Sequence, residues 1–149
     1  MERRKFIICD SACANWGKSD TLLEIIATLK KSSQYKLLCE KPNTEKDKWC
    51  YFVDEEKSVV ISTLGDPNSA QPKWLEDAAK TNANVIVTAC RTRGSSVNVV
   101  YDVANRYDYE IIWFNNFHCD DTKLVSLSPM VDIKNIEVNC IINIIELLQ

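Results

Sequence analysis

The residues best suited to chemistry lie near the N-terminus, in Ala12-Cys13-Ala14-Asn15-Trp16-Gly17-Lys18-Ser19, where a small residue is followed by a loop and then by glycine, lysine and serine in a row. Such a loop curls so that successive backbone N–H groups point inward at an anion, and a helix that begins near Gly17 aims its positive end at the same place. Lys18 then supplies a charge to the outer phosphates of a nucleotide, and the Ser19 hydroxyl a ligand to magnesium. Asp20 puts a carboxylate directly after the serine. It either weakens triphosphate binding by repulsion or points outward in the first helical turn, where acids are favoured. Trp16 either stacks on a base or packs on the sheet. The spacing therefore predicts a phosphate-binding loop with Ala12 to Asp20 as the contacts.

A magnesium site of this kind needs an acid at the end of another strand. Asp66 is the candidate, since Val59-Val60-Ile61-Ser62-Thr63-Leu64-Gly65-Asp66 carries a hydrophobic run to a glycine and then a carboxylate. The alternative for Asp66 is a turn residue that caps a helix, with Asp10, just ahead of the loop, as the substitute metal ligand. Arg91 and Arg93, in Cys90-Arg91-Thr92-Arg93-Gly94-Ser95, follow the most apolar run of the chain. Two guanidiniums beside a phosphate site stabilise charge on a transferring phosphoryl group or clamp the phosphate of a second substrate, and otherwise pair with surface acids. Phe117-His118-Cys119-Asp120-Asp121 holds the only histidine and reads either as a catalytic or metal cluster or as solvated surface.

The elements that must position these groups alternate. Lys5 to Cys9 reads as a strand, Ser19 to Lys31 as an amphipathic helix, and Tyr35 to Glu40, Lys48 to Val53 and Ser58 to Leu64 as strands, the last two as a hairpin. Pro72 opens a helix to about Lys80, Asn84 to Ala89 is a buried strand, Ser95 to Arg106 a helix, and Glu110 to Phe114 a strand. Asn115 to Lys134 shows no clear period and is expected to be a loop or small lid, and Ile136 to Leu148 a closing helix. Strand and helix in turn predict a parallel sheet with crossover helices. The three glycines, Gly17, Gly65 and Gly94, all fall in loops expected at the carboxyl edge of that sheet, where ligands bind in open α/β folds.

At this point the chain resembles the P-loop NTPase superfamily and, within it, the small nucleotide kinases and their kinase-like relatives. Ala12 to Ser19 matches the Walker A pattern with alanine in place of the first glycine, and the strand before it and helix after it supply the required context. The specific resemblance covers Lys5 to about Lys31, and a looser one, by order of elements, reaches Phe114. It implies an α/β fold, a three-layer sandwich with a mostly parallel sheet of about five strands and an antiparallel edge from Lys48 to Leu64. It also implies ATP or GTP with magnesium. In that reading Lys18 and the loop amides hold phosphates, Ser19 and Asp66 hold the metal, and Arg91 or Arg93 assists phosphoryl transfer or hydrolysis. The alternative is a catalytically inactive nucleotide-binding or protein-interaction module. The base, the small-molecule acceptor or protein partner and the oligomeric state are not legible from these residues.

Bulk properties narrow the classes. A chain of 149 residues is expected to form one domain, residues 1–149, and 46% hydrophobic with 26% charged residues is a globular balance. The formal charge of -3 and the lack of a basic stripe argue against nucleic acid as the main ligand. Met1-Glu-Arg-Arg-Lys is basic, but Phe6 to Cys9 is too short for a signal core, and no apolar run approaches the roughly 20 residues that span a bilayer, so a cytoplasmic protein is expected. Seven cysteines is an odd number, and Cys9, Cys39, Cys50, Cys90 and Cys140 sit in apolar or strand-like runs. They are expected to be reduced and buried, and no pair has the CxxC spacing of a structural zinc site.

Overall fold

β1 (Phe6–Ser11) and β5 (Val85–Cys90) are buried at every position, the pattern of strands covered on both faces, which is why they read as unbroken apolar runs. A computed structural model describes residues 4–11, 18–41, 47–65, 69–91, 94–115 and 129–148, with 18–20 and 129–134 described by their backbone. Around the two central strands the chain runs as α1 (Lys18–Lys31), β2 (Lys36–Lys41), β3 (Trp49–Val53), β4 (Ser58–Ser62) and α2 (Gln71–Lys80). β5 follows α2, and α3 (Ser95–Tyr107), β6 (Glu110–Asn115) and α4 (Pro129–Leu147) complete it.

The expected mostly parallel, P-loop-like sandwich is not what forms. The six described strands make one mixed sheet in the order β2-β3-β4-β5-β1-β6. β4, β5, β1 and β6 are parallel neighbours, but β2 pairs with β3, and β3 with β4, antiparallel. The cause is connection length. The antiparallel hairpin of β3 and β4, joined by Asp54 to Lys57, is the expected edge; the departure is β2, antiparallel to β3 because residues 42–48 between them fall short of the dozen or more that a parallel crossover needs. The Asp54 carboxylate accepts the N–H groups of Glu56 and Lys57, both at 2.7 Å, while Asp54 N donates to Lys57 O at 2.9 Å, closing a tight turn that forces β3 and β4 antiparallel.

Side-chain alternation splits the interior into two cores. Ile8, Ile61 and Val87 pack with Leu22, Ile25 and Leu29 of α1 and with Val138, Ile141 and Ile145 of α4. On the other face Ile7, Val60 and Ile86 pack with Leu75 and Ala78 of α2 and Val100 and Val103 of α3. α4 begins at Pro129, earlier than the expected Ile136, so residues 129–134 are helical rather than part of a loop; a proline suits a first helical turn, where its missing N–H goes unused. Among the described residues no helix is long and apolar enough to cross a membrane. The cysteines divide. Cys9, Cys50 and Cys90 are buried as expected, but Cys39 and Cys140 are exposed, because an edge strand and the outer face of a helix leave them on the surface. Burial pushes the Cys50 thiol up to about 11, which keeps it protonated and inert.

Candidate functional site

The connections reverse direction between β1 and β5. From β1 the chain crosses through α1 toward β2 on one face; from β5 it crosses through α3 toward β6 on the other. Adjacent parallel strands whose connections leave in opposite directions open a crevice at their carboxyl ends, the usual ligand position in open α/β sheets. Ser11 stands opposite Cys90, so the chain leaves both strands at one level of the sheet, into Ala12 on one side and Arg91 on the other.

Several groups are fixed at this edge. Asp10 is wholly buried, opposite Ala89 of β5 and Phe114 of β6, and alternates with Ile8, so its carboxylate belongs to the layer of α1 and α4. In that layer Thr21, in the second turn of α1, donates its hydroxyl to Glu137 of α4 at 3.4 Å, and both are buried. On the opposite face the Cys9 and Cys90 sulfurs meet at 3.0 Å. Gly65 lies against the end of β5: a Cβ there would stand 2.8 Å from the carbonyl carbon of Ala89, so only glycine lets the chain beyond β4 approach so closely. Gly94 is required for another reason, a φ of +100° at the start of α3 with open space around it.

Arg91, half-buried, is held through its backbone. Its N–H donates to Ser96 Oγ at 3.0 Å, and Gln71, first residue of α2, donates its amide to Ser96 O at 3.1 Å and Ala89 O at 3.4 Å. The loop after β5 is thereby tied to the starts of two helices. Lys18, Ser19 and Asp20 form the first turn of α1. Ala12, Cys13, Ala14, Asn15, Trp16, Gly17, Asp66, Arg93 and the stretch from Phe117 to Asp121 lie outside the described residues. Among the described residues no three His, Cys, Asp or Glu side chains gather as a metal-binding group.

Sequence reasoning missed Gln71, Ser96 and the Thr21–Glu137 pair. Spacing held a signal for two of them: Ser96 shares the period of Val100 and Val103, and Glu137 stands four residues before Ile141, each on a buried helical face. Gln71, ahead of Pro72 at a helix start, carries no such mark. A concavity of about 290 Å³ lined by Ser33, Gln34, Asp54, Glu55 and Glu56 sits at the other, amino edge of the sheet. Its acidic lining opposes phosphate, and it is no rival to the crevice. Set beside known proteins, the chain matches no family model, no curated protein and no solved structure.

Proposed function

We propose that this chain binds a nucleoside triphosphate, ATP or GTP, with magnesium at the carboxyl edge between β1 and β5, and that it works in the cytoplasm. What carries the reading is a coincidence of sequence and topology: the segment Ala12 to Ser19, with its glycine, lysine and serine, connects the strand at the reversal point to the N-terminus of α1. Lys18 and the loop amides bind phosphates in this reading, and Ser19 and Asp66 offer the hard oxygen ligands that magnesium prefers. The close packing of Gly65 on Ala89 supports that assignment, because it brings the chain toward the crevice one residue before Asp66. Arg91 or Arg93 then faces the charge that builds on a transferred phosphoryl group, with magnesium spreading the charge on the phosphate oxygens when bound. Ala12 and Asp20 favour a second reading, binding without turnover.

Calorimetry with magnesium and ATP, and separately GTP, on wild type and Lys18→Ala tests the proposal. Wild type is expected to bind, and the variant to bind at least about tenfold more weakly with its thermal unfolding unchanged, since one charge–phosphate contact carries of order 1.4 kcal/mol or more. Equal affinities, or no binding by wild type, would overturn it. Release of phosphate, or transfer to a nucleoside monophosphate, from the same mixtures separates an enzyme from a binding module.

A further inference from the structure

Three buried side-chain oxygens just below the carboxyl edge, Ser62 Oγ, Thr88 Oγ1 and Gln71 Oε1, have no hydrogen-bonding partner among the described residues. Their residues are 1%, 0% and 1% exposed. They belong to one neighbourhood. Ile61 of β4 stands opposite Val87 of β5, so the next step along both strands sets Ser62 beside Thr88. Two residues earlier, Val60 and Ile86 both face the layer of α2 and α3, so Ser62 and Thr88 face it too. Gln71 opens α2 in that same layer, and its amide nitrogen, bonded to Ala89 O and Ser96 O, is held one residue past Thr88 along β5. Three separate elements thus bring one oxygen each to one apolar interior.

We propose that these oxygens form a binding site for a single internal water molecule that bridges β4, β5 and α2. A buried oxygen left unbonded carries the full loss of its hydration, and native interiors resolve such groups with ordered water that typically makes about three hydrogen bonds. The donor balance suits water. Gln71 Oε1 only accepts, each hydroxyl both donates and accepts, and a water can give one proton to Gln71 and exchange one bond with each hydroxyl. No formal charge stands among the three, which disfavours a metal ion. The water joins Ser62 to Thr88, which share no direct bond, and continues through Gln71 to Ser96, the partner of the Arg91 N–H. The site is independent of nucleotide binding.

The test is denaturant unfolding of wild type, Ser62→Ala, Thr88→Val and the double variant, beside a high-resolution crystal structure. Each single change is expected to lower the folding equilibrium constant about tenfold by stranding the other two oxygens, and the double variant to lose clearly less than the product of the two. The crystal should show a solvent peak about 3 Å from all three oxygens. A rise in stability of Thr88→Val would overturn the proposal, because an isolated orphan hydroxyl is better replaced by a methyl group; so would strictly multiplicative losses. If Thr88→Val does not fold, Ser62→Ala and the crystal decide: unchanged stability, no peak, or a peak with the short contacts of a cation would overturn it equally.

Discussion

The two ends of the parallel strands are built on opposite plans. At the amino edge, helix C-termini are closed by side chains that cross long stretches of sequence. Lys57 Nζ donates to the carbonyls of Ile145, Glu146 and Leu148 at the end of α4, and Lys5 Nζ donates to Tyr107 O at the end of α3. Asn84 Oδ1 accepts Ser58 N, and Tyr109 OH donates to Ala83 O. Cations there also oppose the negative ends of the helix dipoles. At the carboxyl edge α2 and α3 start from Ala70 and Gly94, which have no polar side chain to offer, and buried polar groups such as Asp10 and Gln71 lie beneath the loops. At the amino edge side-chain bonds close helix C-termini, whereas at the carboxyl edge Gln71, Ser96 and Ser69 tie loops to the starts of α2 and α3, whose positive ends lie near the crevice. With nucleotide at the crevice as proposed, stability and ligand binding would be segregated along the strand direction, so substitutions at the two edges should separate them.

The largest effect is expected from Lys57→Met. The methionine keeps much of the buried volume but strands three carbonyls at the end of α4, and bonds from a charged donor are the strong ones. A loss of about 3 kcal/mol is expected, or a Tm lower by about 6–12 °C. Differential scanning calorimetry reads it directly. Nucleotide affinity, measured below the transition, should not change; a loss of affinity in the folded variant would break the proposed separation of the edges.

Gly65→Ala should instead lower both properties at once. Its Cβ would meet Ala89 backbone at 2.8 Å, so β5 and the chain after β4 must move apart at the edge of the crevice. Overpacking of this kind costs about 2 kcal/mol. The same displacement shifts the residue that precedes Asp66, so magnesium-dependent ATP affinity should fall along with stability. If calorimetry finds stability reduced and affinity kept, the approach of Gly65 to Ala89 serves packing alone.

Much of this arrangement was readable in the chain, for physical reasons that differ by element. The positions of five strands followed from runs of Val, Ile, Tyr and Phe, the composition of side chains buried on a sheet, while the edge strand β2, Lys-Leu-Leu-Cys-Glu-Lys with no position fully buried, was marked chiefly by Tyr35 ahead of it. Strand direction was legible only in part: the antiparallel hairpin of β3 and β4 was expected, but the antiparallel pairing of β2 with β3 was not. Direction depends on what a connection can span, and between β3 and β4 the group that closes the turn before Lys57 is the Asp54 carboxylate. The start of α4 was obscured because Pro129 stands inside a stretch without period. At the crevice, Gly65 and Arg91 were legible as loop residues after strands. The roles of Gln71, Lys57 and Tyr109 were not, since each meets a backbone carbonyl at least 18 residues away and a polar residue bonded in the interior has the same letter as one in water.

The smallest effect concerns that turn. Burial pushes the Asp54 carboxyl up, but the N–H groups of Glu56 and Lys57, with the Gln34 amide at 3.2 Å, outweigh it and hold the carboxyl below its usual range. A group whose folded value is depressed stabilises the native state above its unfolded value, near pH 4, and that contribution is lost as the pH falls through the folded value. Asp54→Asn keeps the shape and an acceptor oxygen but removes the charge from these bonds, and should cost about 1 kcal/mol at pH 7. Urea unfolding of both proteins at pH 7, 5 and 3 should therefore show a steady gap between the first two and a narrower one at the third, with wild type losing the advantage rather than the variant gaining it. A gap that is unchanged at pH 3 would mean that the charge contributes nothing and that turn geometry alone closes the amino edge.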